Sequence, residues 1–193
     1  MYVTDSRGSV YALNAADGHL LWTYDVTDLL GGARREGYIF RHRGVTYADG
    51  VVYSAAGSFI FALDAATGDF IWQHRRGNAP TAEETASMII GPGLARRNLA
   101  IYDDKSFAGT SEAQLIALDA RTGEVVWEHQ VADSELGYRY SSGPIVVRGR
   151  LVAGMTGCER YKNDVCFISA HDPETGDQLW RTATVARPGE PGG

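Results

Sequence analysis

One eleven-residue segment of the chain reads Ala62-Leu63-Asp64-Ala65-Ala66-Thr67-Gly68-Asp69-Phe70-Ile71-Trp72. Its pattern, Ala-x-(Asp/Asn)-x-x-x-Gly-x-x-x-Trp, recurs without gaps three more times, beginning at Ala12, Ala117 and Ala170. The four copies end at the four tryptophans of the chain, which are Trp22, Trp72, Trp127 and Trp180. Self-similarity at a fixed period indicates a repeat architecture, in which each copy belongs to one supersecondary unit.

The residue types within the repeat predict a β-hairpin. An Asp or Asn side chain accepts hydrogen bonds from the turn that follows it, and glycine takes the positive φ that closes the turn. Alternating residues precede the turn, as in 58–63, and β-favouring residues follow it, as in 69–72. The small alanine leaves space on one face, whereas the large tryptophan needs a partner for its indole N–H. We therefore expect each tryptophan to be wedged between adjacent sheets.

The spacing of the repeats predicts the architecture. Successive tryptophans are 50, 55 and 53 residues apart, which suits the four-stranded blade of a β-propeller. Segments 44–54 and 144–154 each read as strand, tight turn and strand, segment 98–102 reads as a further strand, and only 81–86 is expected to form a turn of helix. A closed propeller generally needs about four to eight blades. The prediction is one all-β domain over residues 1–193, an incomplete β-propeller of about four blades with no second domain.

Composition and charge narrow the classes of function. The chain is 44% hydrophobic and 22% charged, as globular domains are, and its net charge of -6 argues against a nucleic-acid partner. No stretch approaches the roughly 18–20 apolar residues of a membrane helix. The N-terminus lacks a signal peptide and enters strand-like sequence at once, as though an upstream portion were missing. Five histidines without zinc-site spacing are interpreted as turn or surface residues: His19, His42, His74, His129 and His171.

The two cysteines of the chain are Cys158 and Cys166. The residues between them are too polar for a core strand, which favours a disulfide that closes a short loop. A disulfide would indicate an oxidising compartment. The alternative is two unrelated buried thiols.

The eleven-residue unit resembles the tryptophan-docking motif of the quinoprotein (PQQ-dependent) alcohol dehydrogenases, and the resemblance extends over nearly the whole chain. It implies the N-terminal part of an eight-bladed periplasmic enzyme that oxidises an alcohol by hydride transfer to PQQ. Calcium would polarise the quinone, and a cytochrome c or a quinone would accept the electrons. Non-catalytic scaffolds of the BamB type, which bind proteins, carry similar repeats. A propeller sensor attached to a signalling module is a third, weaker candidate, so function must be argued from the site.

Two segments resemble parts of the dehydrogenase cofactor site that lie just before strands. Arg43 opens Arg43-Gly44-Val45-Thr46-Tyr47, which is similar to the family's Arg-Gly-x-x-Tyr, and this implies an arginine that binds the carboxylates of PQQ. Ser141 opens the run 141–147, which is similar to the family's Thr-x-Ala-Pro run, and this implies a hydroxyl that hydrogen-bonds the quinone. The alternatives are a surface arginine and an ordinary turn hydroxyl.

A third segment resembles the part of the site that holds the metal. Gly154-Met155-Thr156-Gly157-Cys158-Glu159 is similar to the family's Gly-x-Ser-Gly-Ala-Glu. The resemblance implies a cofactor hydroxyl at Thr156, close approach of the cofactor at Gly157 and Cys158, and Glu159 as a ligand of calcium. Relatives that use a lanthanide share this glutamate, so a lanthanide is an alternative to calcium as the bound metal. The alternative is a solvated glutamate at the end of a loop.

The chain also departs from the family pattern. Family members commonly have two adjacent cysteines shortly before the Arg-Gly segment, and residues 37–42 contain none. A bridge between Cys158 and Cys166 would cover the same face of the cofactor. The family's catalytic aspartate, its calcium-binding asparagine and the tryptophan under the quinone all fall after residue 193. No catalytic residue is therefore assigned, and the chain alone is expected to be inactive.

Overall fold

The computed structural model describes residues 1–6, 8–27, 29, 44–56, 59–76, 98–156, 166–185 and 189. These residues form strands, turns and bends, and none of them lies in a helix. The strands are β1 (Tyr2–Thr4), β2 (Val10–Leu13), β3 (Leu20–Tyr24), β4 (Thr46–Ala48), β5 (Val51–Ala56), β6 (Phe59–Asp64), β7 (Phe70–Arg75), β8 (Ala100–Tyr102), β9 (Lys105–Gly109), β10 (Gln114–Asp119), β11 (Val125–Gln130), β12 (Ile145–Val147), β13 (Arg150–Gly154), β14 (Phe167–His171) and β15 (Gln178–Ala183). Nowhere in these ranges does the chain supply a helix able to span a membrane.

The strands pair antiparallel, each with its neighbours in the chain. The first sheet contains β1–β3, and the next three contain β4–β7, β8–β11 and β12–β15 in sequential order. The predicted hairpins of 44–54 and 144–154 are β4–β5 and β12–β13, and the strand predicted at 98–102 is β8. The all-β prediction with one sheet for each repeat is confirmed. The helical turn expected at 81–86 lies outside the described residues.

The repeat forms the hairpin between the last two strands of each sheet. The φ angles of its four glycines lie between 75° and 80°, at Gly18, Gly68, Gly123 and Gly176. In the second sheet Asp64 Oδ1 accepts the N–H groups of Ala66 and Thr67 at 2.8 and 2.9 Å, and these bonds lower the pKa of the Asp64 carboxyl. A β-bulge follows the alanine in every copy. The turn chemistry read from the sequence is confirmed.

The chain divides into two compact units. The first comprises Met1–Asn98 with Arg121–Gly123, and the second comprises Leu99–Ala120 with Glu124–Gly193. The first and second sheets share a core in the first unit: Val10, Val26, Val52, Ala56, Phe61, Leu63 and Ala65. The third and fourth sheets share a core in the second unit, which includes Phe107, Leu115, Trp127, Tyr138, Tyr140, Leu151, Met155 and Phe167. The assignment of residues 1–193 to one domain stays a prediction.

The tryptophans of the first unit pack on the turn glycine of the following repeat. A Cβ atom at Gly68 would lie 2.7 Å from Cδ2 and Cε3 of Trp22, and a Cβ atom at Gly123 would lie 2.4 Å from Cε3 of Trp72. The indole of Trp22 also donates its N–H to the carbonyl of Ala65 at 3.1 Å. The indole rings therefore lie flat against glycines that have no room for a side chain.

The same docking recurs in the second unit. A Cβ atom at Gly176 would lie 2.8 Å from Cε3 of Trp127, and the indole N–H of Trp127 donates to the carbonyl of Pro173 at 3.0 Å. The prediction of a wedged tryptophan with a bonded N–H is confirmed for Trp22 and Trp127. Trp180 differs, because its side chain is 43% exposed.

His171 corrects the interpretation of the histidines as turn or surface residues. It lies in β14 and is buried, with Nδ1 at 3.0 Å from the carbonyl oxygen of Gly176 and Nε2 at 2.9 Å from Ser169 Oγ. A carbonyl only accepts, so Nδ1 carries the proton and Nε2 accepts from the serine. Burial lowers the pKa of this imidazole.

Acidification is expected to destabilise the protein through His171. Because its folded-state pKa lies below the ordinary 6.5, the unfolded chain binds more protons below that pH, and stability falls as the pH drops through this range. Urea unfolding midpoints at pH 7.5 and 5.5 should differ more for the wild type than for His171→Gln. The exposed His19 supplies the control, since His19→Gln should keep the wild-type difference. An undiminished difference in His171→Gln would contradict the assignment.

Candidate functional site

Two of the predicted site residues flank the first hairpin of the fourth sheet. Ser141 precedes β12, and Thr156 follows β13. Because β12 and β13 are antiparallel, the start of one strand and the end of the other lie at the same end of the sheet. An isolated bridge joins the two segments there, since Arg139 and Thr156 exchange two backbone hydrogen bonds of 3.0 Å. The structure therefore brings together the segments that carry Ser141 and Thr156.

The hydroxyl of Thr156 is half-buried and placed by this bridge. Thr156 Oγ1 donates to the carbonyl of Arg139 at 3.0 Å, and the same carbonyl accepts the N–H of Thr156 at 3.0 Å. If the hydroxyl turned toward a ligand, the carbonyl would keep its backbone partner, and no buried acceptor would be stranded. Thr156 can therefore offer its proton to an oxygen-rich ligand at little cost.

Tyr140 fixes the backbone from which Ser141 projects. Its N–H donates to the carbonyl of Thr110 at 3.0 Å, and its ring packs so closely on Gly109 that a Cβ atom there would lie 2.7 Å from Tyr140 Cγ. Burial raises the pKa of the Tyr140 hydroxyl, so the phenol is neutral. The sequence interpretation missed this residue. The signal was the alternation of Tyr138 and Tyr140 about a polar residue, which is typical of a strand with one buried face.

Four predicted site residues lie outside the described residues, namely Arg43, Gly157, Cys158 and Glu159. Gly44 follows Arg43 directly, and its φ of 108° suits glycine better than any other residue. In the ranges given above, no group of three or more His, Cys, Asp or Glu side chains is placed to hold a metal ion. The metal site thus remains a prediction that depends on Glu159.

The disulfide also remains a prediction, because Cys158 is outside the described residues. Cys166 lies just before β14, where its carbonyl accepts the N–H and the hydroxyl of Thr184 at 2.7 and 2.8 Å. No cysteine in the described part of the chain is free. These contacts hold Cys166 against the residue that directly follows β15.

Comparison with known proteins identifies the class. Residues 1–183 match the family model described as outer membrane protein assembly factor BamB, so the chain belongs to this family of tryptophan-repeat propellers. The BamB structure from Moraxella catarrhalis aligns with a TM-score of 0.53 at 18% identity, covering 94% of this chain and 57% of that one. At this identity the likeness shows the fold.

The sequence relatives within this class are quinoprotein alcohol dehydrogenases. The chain is 36% identical over 146 residues to the quinohemoprotein alcohol dehydrogenase ADH IIB of Pseudomonas putida, which covers 75% of this chain and 20% of the relative. The solved quinohemoprotein alcohol dehydrogenase ADHIIG of Pseudomonas putida HK5 aligns with a TM-score of 0.62 at 29% identity, covering 75% of this chain and 21% of that one. The chain spans about a fifth of the length of these relatives. The resemblance predicted from the repeats is confirmed.

Proposed function

We propose that the chain forms part of a PQQ- and calcium-dependent dehydrogenase that oxidises alcohols in the periplasm and passes the electrons to a cytochrome c or a quinone. The identity of 36% to an alcohol dehydrogenase over three quarters of the chain carries the proposal. The placement of Ser141 and Thr156 at one end of the fourth sheet supports it. Bound PQQ supplies a quinone that accepts hydride from the alcohol.

In this proposal the residues of the chain bind and orient the cofactor. Hydroxyl groups and an arginine suit PQQ, which carries carboxylate and quinone oxygens. Arg43 binds a carboxylate, while the hydroxyls of Ser141 and Thr156 donate to the cofactor. The neighbouring Gly157 and Cys158 let the cofactor approach the backbone. The chain contributes no general base, and it supplies part of the cofactor shell without being active alone.

Glu159 is the residue of this chain proposed to hold the metal. A hard divalent cation takes carboxylate oxygens as ligands. Glu159 stands three residues after Thr156 in the sequence, so one short segment would supply both a metal ligand and a hydroxyl for the cofactor. The remaining ligands would come from another part of the enzyme. Calcium is the proposed ion, and a lanthanide is the alternative that the same carboxylate admits.

A non-catalytic scaffold is the second candidate function. The description of the matching family model favours it, because that model is named for an outer membrane assembly factor. A scaffold would bind proteins through the surfaces of its sheets and would require neither a hydroxyl at Ser141 nor a carboxylate at Glu159. Cofactor binding therefore separates the two candidates.

The test is a titration of the whole dehydrogenase with PQQ, with and without calcium. Binding is monitored through the quenching of tryptophan fluorescence. The enzyme is expected to bind PQQ more tightly with calcium present. Thr156→Val should weaken binding about fivefold, since one hydrogen bond contributes about 1 kcal/mol. Thr156→Ser keeps the hydroxyl and should bind within about twofold of the wild type.

Ser142→Ala is the matched control, because this exposed hydroxyl lies next to Ser141 and is assigned no contact with the cofactor. Its affinity for PQQ should equal that of the wild type. An enzyme that binds no PQQ would refute the dehydrogenase proposal and favour the scaffold. Equal affinity in Thr156→Val would leave the enzyme class standing and refute the assignment of Thr156.

A further inference from the structure

Arg139 stands directly opposite Thr156 where the two segments of the candidate site meet. The two residues form an antiparallel bridge and exchange backbone hydrogen bonds of 3.0 Å in both directions. Side chains that stand opposite each other in an antiparallel pair project from the same face, with Cβ atoms about 4.5–5.5 Å apart. The guanidinium of Arg139 and the hydroxyl of Thr156 therefore belong to one face at this end of the fourth sheet.

Burial alternates along the chain at this point. Tyr138 and Tyr140 are buried, whereas Arg139 and Ser141 are half-buried. Residues two apart in an extended segment share a face, so Arg139 and Ser141 lie on the face opposite the tyrosines. Thr156, which is also half-buried, joins them through the bridge. One face thus presents an arginine beside the two hydroxyls that are proposed to bind the cofactor.

The backbone of Arg139 is fixed by the buried residues on either side of it. The ring of Tyr138 packs on that of Phe167, with centroids 6.1 Å apart. The N–H of Tyr140 donates to the carbonyl of Thr110 at 3.0 Å. The side chain of Arg139 therefore starts from a backbone that is already ordered, and this lowers the entropy lost when the arginine binds a ligand.

We propose that Arg139 binds a carboxylate of PQQ, an assignment that rests on the proposed function. PQQ carries several carboxylates, and the resemblance to the dehydrogenases assigns only Arg43 to them. A planar guanidinium binds a carboxylate through two parallel N–H···O bonds. Arg139 is thus a second arginine for the cofactor, and it binds a carboxylate while its neighbour Thr156 donates to another oxygen of the same molecule.

The position of Arg139 distinguishes it from the other arginines of the same hairpin. Arg148 and Arg150 lie at the turn between β12 and β13, at the opposite end from Thr156, and both are exposed. Attraction between exposed charges is weakened by water and salt, whereas a half-buried pair is screened less. Arg139 therefore has both the placement and the surroundings to bind an anion beside Thr156.

The test uses the whole dehydrogenase and two titrations. In the first, PQQ is added in the presence of calcium, and Arg139→Gln should weaken its binding about 10- to 100-fold, because a charge-assisted pair of hydrogen bonds is lost. Arg139→Lys keeps the charge without the planar fork, so its affinity should be intermediate. In the second, calcium alone is added to the enzyme without PQQ. Arg139→Gln should bind calcium at least as tightly as the wild type, since it removes a positive charge and no metal ligand.

Arg150→Gln is the matched control, because it removes the same charge from the opposite end of the β12–β13 hairpin. Its affinity for PQQ should stay within about twofold of the wild type. An unchanged PQQ affinity in Arg139→Gln, an equal loss in Arg150→Gln, or a parallel loss of calcium affinity in Arg139→Gln would each overturn the role of Arg139. A wild type that binds no PQQ would instead refute the proposed function itself, so the two failures are distinguishable.

Discussion

Replacing Trp127 by alanine is expected to lower the free energy of unfolding by about 3–5 kcal/mol, as large aromatic truncations in a core do. The Trp127 side chain is 8% exposed and packs on Phe107, with ring centroids 5.8 Å apart. Its ring also covers Gly176, and its N–H is bonded to the carbonyl of Pro173 at 3.0 Å. Truncation would open a cavity and leave a buried carbonyl without its donor.

Trp180→Ala is the matched comparison, because it makes the same chemical change at the same position of the repeat. Because 43% of the surface of Trp180 is already exposed to water, Trp180→Ala should lower the free energy of unfolding by less than about 1 kcal/mol, as substitutions of exposed residues generally do. Urea unfolding, monitored by far-UV circular dichroism at one protein concentration, measures the free energy of unfolding of both variants. Equal losses in the two variants would show that docking does not stabilise the fold.

The sequence predicts the hairpins because their causes are local. A carboxylate that binds its own turn, a glycine with positive φ and a tryptophan after it all lie within eleven residues, as around Asp64 and Gly68. The carbonyls that accept the indole N–H groups of Trp22 and Trp127 lie 43 and 46 residues away in the sequence, yet the repeat predicts these contacts because every turn offers the same glycine. Repetition thus turns a long-range contact into one that a single sequence reveals.

The site is less predictable because its geometry depends on contacts that do not repeat. The hydroxyl of Thr156 is held by a bridge to Arg139, 17 residues earlier. The backbone at Ser141 is held by the packing of Tyr140 on Gly109. Neither contact follows from residue types in one segment. The resemblance to the family identified Ser141 and Thr156 as candidates, and only the fold shows that both lie at the same end of the fourth sheet.

The burial of His171 follows from its place in the repeat. His171 stands directly after the repeat's alanine, where Leu63 and Leu118 stand in two other copies, and all three residues are buried. From its residue type alone, a histidine directly before a turn is expected at the surface. The repeat position instead places its imidazole inside, between Ser169 and Gly176.

Substitution of a glycine on which a tryptophan docks is expected to cause the second large loss of stability. Gly50→Ala and Gly68→Ala change glycines of the same sheet with φ angles of 79° and 80°, so both should lose about 1–2 kcal/mol from placing an L side chain in a left-handed conformation. Gly50 has open space around it, whereas a Cβ atom at Gly68 would lie 2.7 Å from two ring atoms of Trp22. Gly68→Ala should therefore lose a further 1–3 kcal/mol or so from overpacking.

The difference in unfolding free energy between the two glycine variants measures the effect of tryptophan docking alone, because both variants place an alanine in the same left-handed backbone conformation and this cost cancels. Urea unfolding of both proteins measures it, and Trp22 fluorescence should change in Gly68→Ala as its ring is pushed from the turn. Equal stabilities would mean that glycine is retained at position 68 for its φ alone. A larger loss at Gly68 would show that glycine is also required there because the indole of Trp22 fills the space beside it.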